Sequence, residues 1–177
     1  MEIATGEPYN PIKQDVKNGV LRDYKWGDMM FNYGAFPRTW EDPAHTTEDT
    51  GHHGDNDPLD VIEIGMRQYQ TGSIVRVKVL GVFAMIDDGE TDWKVICIAS
   101  DDPISDILND VEDVNIHLPG CLHAIREWLR KYKLAEGKGM NEFGLNEVCM
   151  GREYALKIVT ETHEFWQTLT KTKGTTV

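Results

Sequence analysis

The sequence has few cysteines and no long apolar run. Its three cysteines lie far apart without a CxxC pair: Cys97, Cys121 and Cys149. This spacing argues against a disulfide framework or a zinc site and favours a reducing compartment. The sequence lacks an apolar run of about 18 residues and a secretion-type start. We therefore expect a soluble, cytoplasmic protein, with an organellar location left open.

Positive charge is also scarce, because 30 acidic residues face 18 basic ones and give a formal net charge of −12. Such a charge repels nucleic acid and anionic membranes, so we expect neither as a partner. An enzyme of this composition that acts on phosphates would need bound cations and a local group of Lys and Arg. The 177 residues, 40% of them hydrophobic, suit a single domain over 1–177. A homodimer is left open.

Strand patterns fill the first hundred residues, and helix patterns follow. An extended arm with a hairpin is predicted over 1–20, and strands over 59–64, 72–80, 81–86 and 93–99. Helices are predicted over 101–110, 120–134 and 152–169. Short strands joined by turns, without a βαβ rhythm, favour an antiparallel barrel. The predicted fold class is α+β, with two or three helices packed on the strands.

Three aspartates lie within six residues, at the start of an apolar strand: Asp55, Asp57 and Asp60. In extended backbone Asp55 and Asp57 would share one face, and an irregularity at Pro58 could turn Asp60 toward them. At ~5 Å and an effective dielectric of ~20 each pair repels by roughly 3 kcal/mol, so the group must take up protons or hold a cation. Oxygen ligands favour Mg²⁺ or Mn²⁺. A solvated acidic loop is the alternative.

A predicted hairpin over 86–93 brings two more acids, Asp87 and Asp92, and places Lys94 in the return strand. Acids at a hairpin tip are usually solvated. Beside the three aspartates, however, they could build a site for several divalent cations. The polar loop over 44–53 carries three histidines that we interpret as solvated rather than metal-binding: His45, His52 and His53.

The segment Asp55-Asn56-Asp57-Pro58-Leu59-Asp60-Val61 resembles the signature of family I soluble inorganic pyrophosphatases. Other segments resemble the eukaryotic members of this family: 32–37, 40–43, 87–94 and 132–133. The resemblance extends from about Glu2 to Trp166. It implies a five-stranded, OB-like β-barrel flanked by helices. It also implies Mg²⁺-dependent hydrolysis of pyrophosphate to two phosphates, by in-line attack of a metal-activated hydroxide.

The same resemblance implies a role for individual residues. The metals that activate water would be bound by three acids, of which Asp60 bridges: Asp55, Asp60 and Asp92. Asp57 would be the general base. Asp87, with Asp92, would hold a further metal that arrives with substrate, and Glu2 would reach the metals through water. The phosphates would be bound by Arg22, Tyr33, Lys94, Tyr132 and Lys133.

The sequence departs from the family pattern in its N-terminal part. It has no match for N-terminal strands that supply another Glu and a Lys, and Met29 stands where a tyrosine is expected. The second hypothesis is therefore a non-catalytic module that binds divalent cations or phosphate. Lys94 and Lys133 favour the enzyme, because a cation-binding module has no use for positive charge beside its carboxylates.

Overall fold

The computed structural model describes residues 1–172 of the chain. These residues form strands β1 (Glu2–Ile3), β2 (Ile12–Lys13), β3 (Val16–Lys17), β4 (Val20–Leu21), β5 (Asn32–Ala35), β6 (His53–Gly54), β7 (Asp60–Glu63), β8 (Val77–Asp87), β9 (Glu90–Ala99), β10 (Glu142–Phe143) and β11 (Met150–Gly151). The helices are α1 (Val111–His117), α2 (Cys121–Lys131) and α3 (Arg152–Thr172), with 3-10 turns at Tyr132–Glu136 and Leu145–Glu147. None of these helices combines the length and the apolar character that a membrane span requires.

Seven strands form one mixed sheet, in the order β10-β8-β9-β7-β5, with β11 also on β8 and β6 also on β9. The antiparallel hairpin β8–β9 is its centre, whereas β7 pairs with β9 in parallel. Strands β7 and β9 therefore run in the same direction. Strand β9 lies between β8 and β7, and the connection over 64–76 crosses from β7 to β8. The predicted α+β fold is confirmed. The sheet, however, is mixed rather than antiparallel throughout.

Helices cover both faces of the sheet. Successive residues of β8 point to opposite sides, so Phe83 and Met85 join the core under α1 and α2, while Val82 and Ala84 join the core under α3. Because both faces are buried, β8 and β9 are apolar along most of their length. The ends of the strands, where the apolar run stops, are left for polar residues.

The bend predicted at Gly81 is confirmed as a shift in the β8–β9 register between Val79 and Gly81. A Cβ atom at Gly81 would lie 2.4 Å from Cγ1 of Val111 and 2.6 Å from the carbonyl oxygen of Met150. Glycine is therefore required where α1 and β11 approach the strand.

The helix predicted over 101–110 is wrong, because this segment forms turns and α1 starts only at Val111. Lys78 donates hydrogen bonds from Nζ to the carbonyl oxygen of Leu108 at 2.9 Å and to that of Ser105, so the strand takes carbonyls that a helix would use. The Asp110 side chain accepts a hydrogen bond from the Val111 N–H at 2.7 Å and caps α1. The helices predicted over 120–134 and 152–169 are confirmed.

The backbone turns between Asp55 and Asp57, so it does not meet the condition of extended backbone under which both side chains would share one face. Asn56 has a φ of 72°, in the left-handed region that Asn tolerates, and the Asp57 N–H donates a hydrogen bond to Oδ1 of Asp55 at 2.9 Å. The arm predicted over 1–20 forms two short ladders, β1–β2 and β3–β4.

Candidate functional site

The parallel pairing of β7 and β9 brings a lysine and two aspartates together. Asp60 is opposite Lys94 in the ladder, and Asp92 lies two residues before Lys94 on the same face of β9. Lys94 Nζ is 2.5 Å from Oδ2 of Asp60 and 2.5 Å from Oδ1 of Asp92. The Tyr33 hydroxyl completes the group, because it donates to Asp60 at 2.5 Å and accepts from Lys94 at 2.8 Å.

A buried trio of acids lies next to this lysine. One carboxylate oxygen from each of Glu41, Asp55 and Asp92 lies within 4.8 Å of the other two, and among residues 1–172 this is the one such group of possible metal ligands. Glu41 Oε1 accepts the Trp93 N–H at 2.9 Å, whereas Oε2 is buried with no hydrogen-bond partner in the described chain. An orphaned buried carboxylate oxygen beside two other acids is suited to a divalent cation.

Gly54 allows this trio to form. Glu41 and the turn that follows Gly54 are joined by two backbone hydrogen bonds, from the Glu41 N–H to the Asp57 carbonyl and from the Asn56 N–H to the Glu41 carbonyl. A Cβ atom at Gly54 would lie 2.5 Å from the carbonyl carbon of Glu41. Only glycine therefore permits the close approach that sets Glu41 beside Asp55.

Burial and neighbouring charges shift the pKa values of the acids and of Lys94. Burial raises the pKa of Asp55 to about 7, and it raises the pKa values of Glu41 and Asp92 well above their usual range, with neighbouring acids adding to the effect. Burial alone would lower the pKa of Lys94, but Asp60 and Asp92 outweigh it and hold that pKa well above its usual value. The group thus has one fixed positive charge for four acids, which leaves room for further cations.

The predicted base, Asp57, lies at the rim of the site. Its Oδ1 accepts a hydrogen bond from the Thr5 hydroxyl at 3.2 Å, which ties the N-terminal arm to the signature turn. Burial raises the pKa of Asp57, and the Thr5 hydrogen bond acts against it. A half-exposed carboxylate with a raised pKa is suited to take a proton from water.

Glu2 and Arg22 also reach the rim from the N-terminal part. Burial raises the pKa of Glu2, and the charges of Asp60 and Arg22 act on it, so the three side chains share one environment. Arg22 forms ion pairs with Asp15 at 3.1 Å and Glu136 at 3.6 Å. Met29, by contrast, packs against the core under α1 and α2 and presents no polar group.

A second group of charges lies at the tip of the β8–β9 hairpin. Lys133 forms ion pairs with Asp87 and, at 3.0 Å, with Asp88, while the Tyr132 hydroxyl lies 3.4 Å from Asp87. The Tyr132 ring stacks on Trp128 with 5.1 Å between centroids. Burial raises the pKa of Tyr132, and the negative charge of Asp87 adds to the rise.

The two groups account for most of the predicted site residues. Around Lys94 the structure gathers Asp55, Asp60, Asp92 and Tyr33, and around Lys133 it gathers Asp87 and Tyr132. Glu41 received no role from the sequence, although it lies in the Trp40–Pro43 segment that resembled the family. Two of the histidines bind protein groups instead: His52 contacts the Gly89 carbonyl and His53 contacts Thr46.

Buried acids and lysines at one end of the central strands suit a cation-dependent phosphate site. Known proteins of similar sequence define the class of this site. The family model for inorganic pyrophosphatase matches residues 9–167. Soluble inorganic pyrophosphatase 1, chloroplastic, of Chlamydomonas reinhardtii is 53% identical over 93% of this chain and 58% of its own length.

Solved structures agree with this match. A recombinant inorganic pyrophosphatase from T. brucei brucei superposes with a TM-score of 0.95 at 53% identity, over 97% of this chain and 50% of its own. A truncated vacuolar soluble pyrophosphatase of Trypanosoma cruzi, in complex with PPi, superposes with a TM-score of 0.94 at 55% identity, over 96% of this chain and 64% of its own.

The chain belongs to the inorganic pyrophosphatase family. It spans between about half and two thirds of the length of these relatives. The family and the buried acidic trio fit divalent cations. The single domain, the cytoplasmic location, the homodimer and the lack of nucleic-acid and membrane partners stay predictions.

Proposed function

We propose that this chain hydrolyses pyrophosphate to two phosphates and that the reaction requires Mg²⁺, with Mn²⁺ as a substitute. The observation that carries the proposal is the pairing of buried acids with lysines at one end of the central strands, in a chain of this family. A relative bound to PPi supports the choice of substrate. Bound cations would act as Lewis acids toward water and phosphate oxygens.

The acids divide into a group that holds cations and one that moves a proton. Asp55, Asp60 and Asp92 would hold the first cations, and the orphaned oxygen of Glu41 suits it as a further oxygen ligand of the same group. Asp87 would hold a cation that enters with substrate, and Glu2 would act through water. These assignments combine the roles that the family resemblance implies with the positions of the side chains in the structure.

Asp57 would accept the proton of the attacking water. A bond forms between the water oxygen and one phosphorus, the bond from that phosphorus to the bridging oxygen breaks, and the second phosphate leaves with the electron pair. The raised pKa of Asp57, caused chiefly by burial, brings this base closer to neutral pH.

Five side chains would bind the phosphates: Arg22, Tyr33, Lys94, Tyr132 and Lys133. Lys94 and Lys133 each form ion pairs with aspartates. If bound cations took over these aspartate oxygens, the ammonium groups would be free to bind phosphate. The acidic site would then attract an anionic substrate once its cations are bound.

The test is phosphate release from pyrophosphate by the purified chain with Mg²⁺, compared with the variant Asp57→Asn. We expect the variant to keep Mg²⁺ binding, measured by calorimetry, and to lose activity by about 10²–10⁴-fold, the usual contribution of a general base. Asp106→Asn, at an exposed acid outside the site, is the control and should match the unmodified chain.

A binding module without catalysis is the second candidate, and the ion pairs of Arg22 with Asp15 and Glu136 favour it, because they engage a residue expected to bind phosphate. Binding of Mg²⁺ and phosphate without any phosphate release would support this module. Release that is equal in Asp57→Asn and the unmodified chain would instead reject Asp57 as the base.

A further inference from the structure

We propose that Asp88, which has no role in the function proposed above, is a positioning residue that keeps Lys133 at the phosphate site when a cation takes Asp87. The inference rests on the proposed function, because it assumes that Asp87 holds a cation and Lys133 binds phosphate. It adds a residue at the tip of the hairpin whose charge, and not its conformation, would affect substrate binding.

The contacts of Asp88 connect three parts of the chain. Its Oδ2 atom accepts hydrogen bonds from Nζ of Lys133 at 3.0 Å and from Nζ of Lys138 at 3.1 Å. Asp88 belongs to the hairpin turn, Lys133 to the 3-10 turn after α2, and Lys138 to the loop that follows. One carboxylate oxygen therefore joins the β8–β9 tip to the segment that carries Lys133.

Lys133 needs a second acid because its surroundings offer little water. Its side chain is 6% exposed, and its acidic partners are Asp87 and Asp88. A buried ammonium without a partner is strongly unfavourable. If Asp87 were its sole acid, the cation that enters with substrate would leave Lys133 with no acid of the protein to hold it in place. Asp88 supplies a partner that lies outside the cation site.

The conformation of the turn suits either Asp or Asn at position 88, so it does not explain why the residue is charged. Asp88 has a φ of 48° and Gly89 a φ of 88°, and they connect Asp87 to its ladder partner Glu90. Two left-handed residues between antiparallel strands form the turn that Asn-Gly and Asp-Gly both favour. Asp88→Asn would thus keep the turn and remove only the negative charge.

The lysines hold Asp88 by two hydrogen bonds to a single carboxylate oxygen. Asp88 is itself 68% exposed, so water screens the pair and the effect on binding should be modest.

The experiment compares Asp88→Asn with Asp101→Asn, which removes an equally exposed acid that pairs with Arg67 at 2.7 Å near the opposite end of β9. We expect Asp88→Asn to raise the KM for pyrophosphate about twofold to fivefold, the range of an exposed ion pair, and to leave kcat nearly unchanged. Calorimetry with inorganic phosphate and Mg²⁺ should give a similar loss of affinity. Asp101→Asn should change neither.

Each outcome decides the proposal. An unchanged KM and phosphate affinity in Asp88→Asn would overturn it, and so would a fall in kcat at constant KM. A drop in thermal midpoint beyond that of Asp101→Asn, together with a loss in both constants, would assign Asp88 a merely structural role and overturn it as well. If the unmodified chain releases no phosphate, the proposed function fails, while phosphate calorimetry still tests Asp88.

Discussion

The two lysines of the candidate site hold aspartates in different surroundings. The Lys94 side chain is 3% exposed, and its partners Asp60 and Asp92 are 20% and 9% exposed. The Lys133 side chain is 6% exposed, and its partners Asp87 and Asp88 are 19% and 68% exposed. Because removal of water strengthens charge interactions and raises the cost of an unpaired charge, the Lys94 group should matter more for stability.

The difference follows from the elements that carry each group. Lys94 and Asp60 face each other across a parallel ladder inside the sheet, with helices on both sides. Lys133 meets the tip of a hairpin, where the backbone turns into water. A lysine on a central strand can therefore act as an internal cation, whereas a lysine at a hairpin tip shares its acids with solvent.

The largest expected effect is that of Lys94→Met, which leaves Asp60 and Asp92 buried without their cation. In EDTA at pH 8 we expect the free energy of unfolding to fall by about 3–5 kcal/mol, the usual cost of breaking a buried pair. Urea denaturation measures it. Mg²⁺ should restore part of the loss, because it replaces the missing positive charge. Unchanged stability would remove the main contrast between the two lysines.

The next effect concerns pH. Asp55 has its pKa raised by burial to about 7 from 3.8, so the folded chain binds a proton there that the unfolded chain has released. Asp55 alone should then make stability without metal decrease as pH rises from about 4 to 7, by at most about 4 kcal/mol, and the raised pKa values of Glu41 and Asp92 should continue the decrease at higher pH. Asp55→Asn should make the decrease between pH 4 and 7 smaller. A free energy of unfolding that rises between pH 4 and 7 would contradict the raised pKa of Asp55 in the folded chain.

Gly54→Ala tests how closely the acids of the Lys94 group are packed. The new Cβ would lie 2.5 Å from backbone of Glu41, so we expect a loss of about 1–3 kcal/mol from overpacking. Gly34→Ala, where a Cβ has no neighbour within 4 Å, is the matched control. Thermal unfolding of both variants makes the measurement. Equal midpoints would mean that the Glu41 loop moves away without cost.

The smallest effect is expected for Lys133→Met. Asp88, which is 68% exposed, would remain solvated, and Asp87 would be the one partly buried acid left without its cation, so the free energy of unfolding without metal should fall by about 1 kcal/mol. The same urea titration as for Lys94→Met allows a direct comparison. A loss as large as that of Lys94→Met would show that exposure does not distinguish the two groups.

Local patterns sufficed to predict the acids of the site and the later helices. The spacing of Asp55, Asp57 and Asp60 indicated a cation site, and the apolar periodicity over 120–134 and 152–169 indicated α2 and α3. These features depend on neighbouring residues. Hairpin β8–β9 was predicted for the same reason, since its strands are adjacent in the chain.

The sequence did not predict the features that depend on contacts between residues far apart in the chain. Glu41 lies in a loop without periodicity. Its carboxylate joins the site only because the backbone of Gly54 packs against the backbone of Glu41. The segment over 101–110 has helix-compatible composition, but Lys78 of β8 takes its carbonyls. The parallel direction of β7 follows from the path of the 64–76 connection, which no local pattern reports.

The parallel pairing of β7 with β9 also bears on how the chain folds. Hairpin β8–β9 closes a two-residue turn, whereas Asp60 must find Lys94 across a sequence separation of 34. Closing the longer loop costs more chain entropy before any contact repays it. In pulse-labelled amide exchange we expect the amides of β8–β9 to be protected before those of β7. The cation site would then form after the folding nucleus, so cations would stabilise the folded chain without speeding its formation.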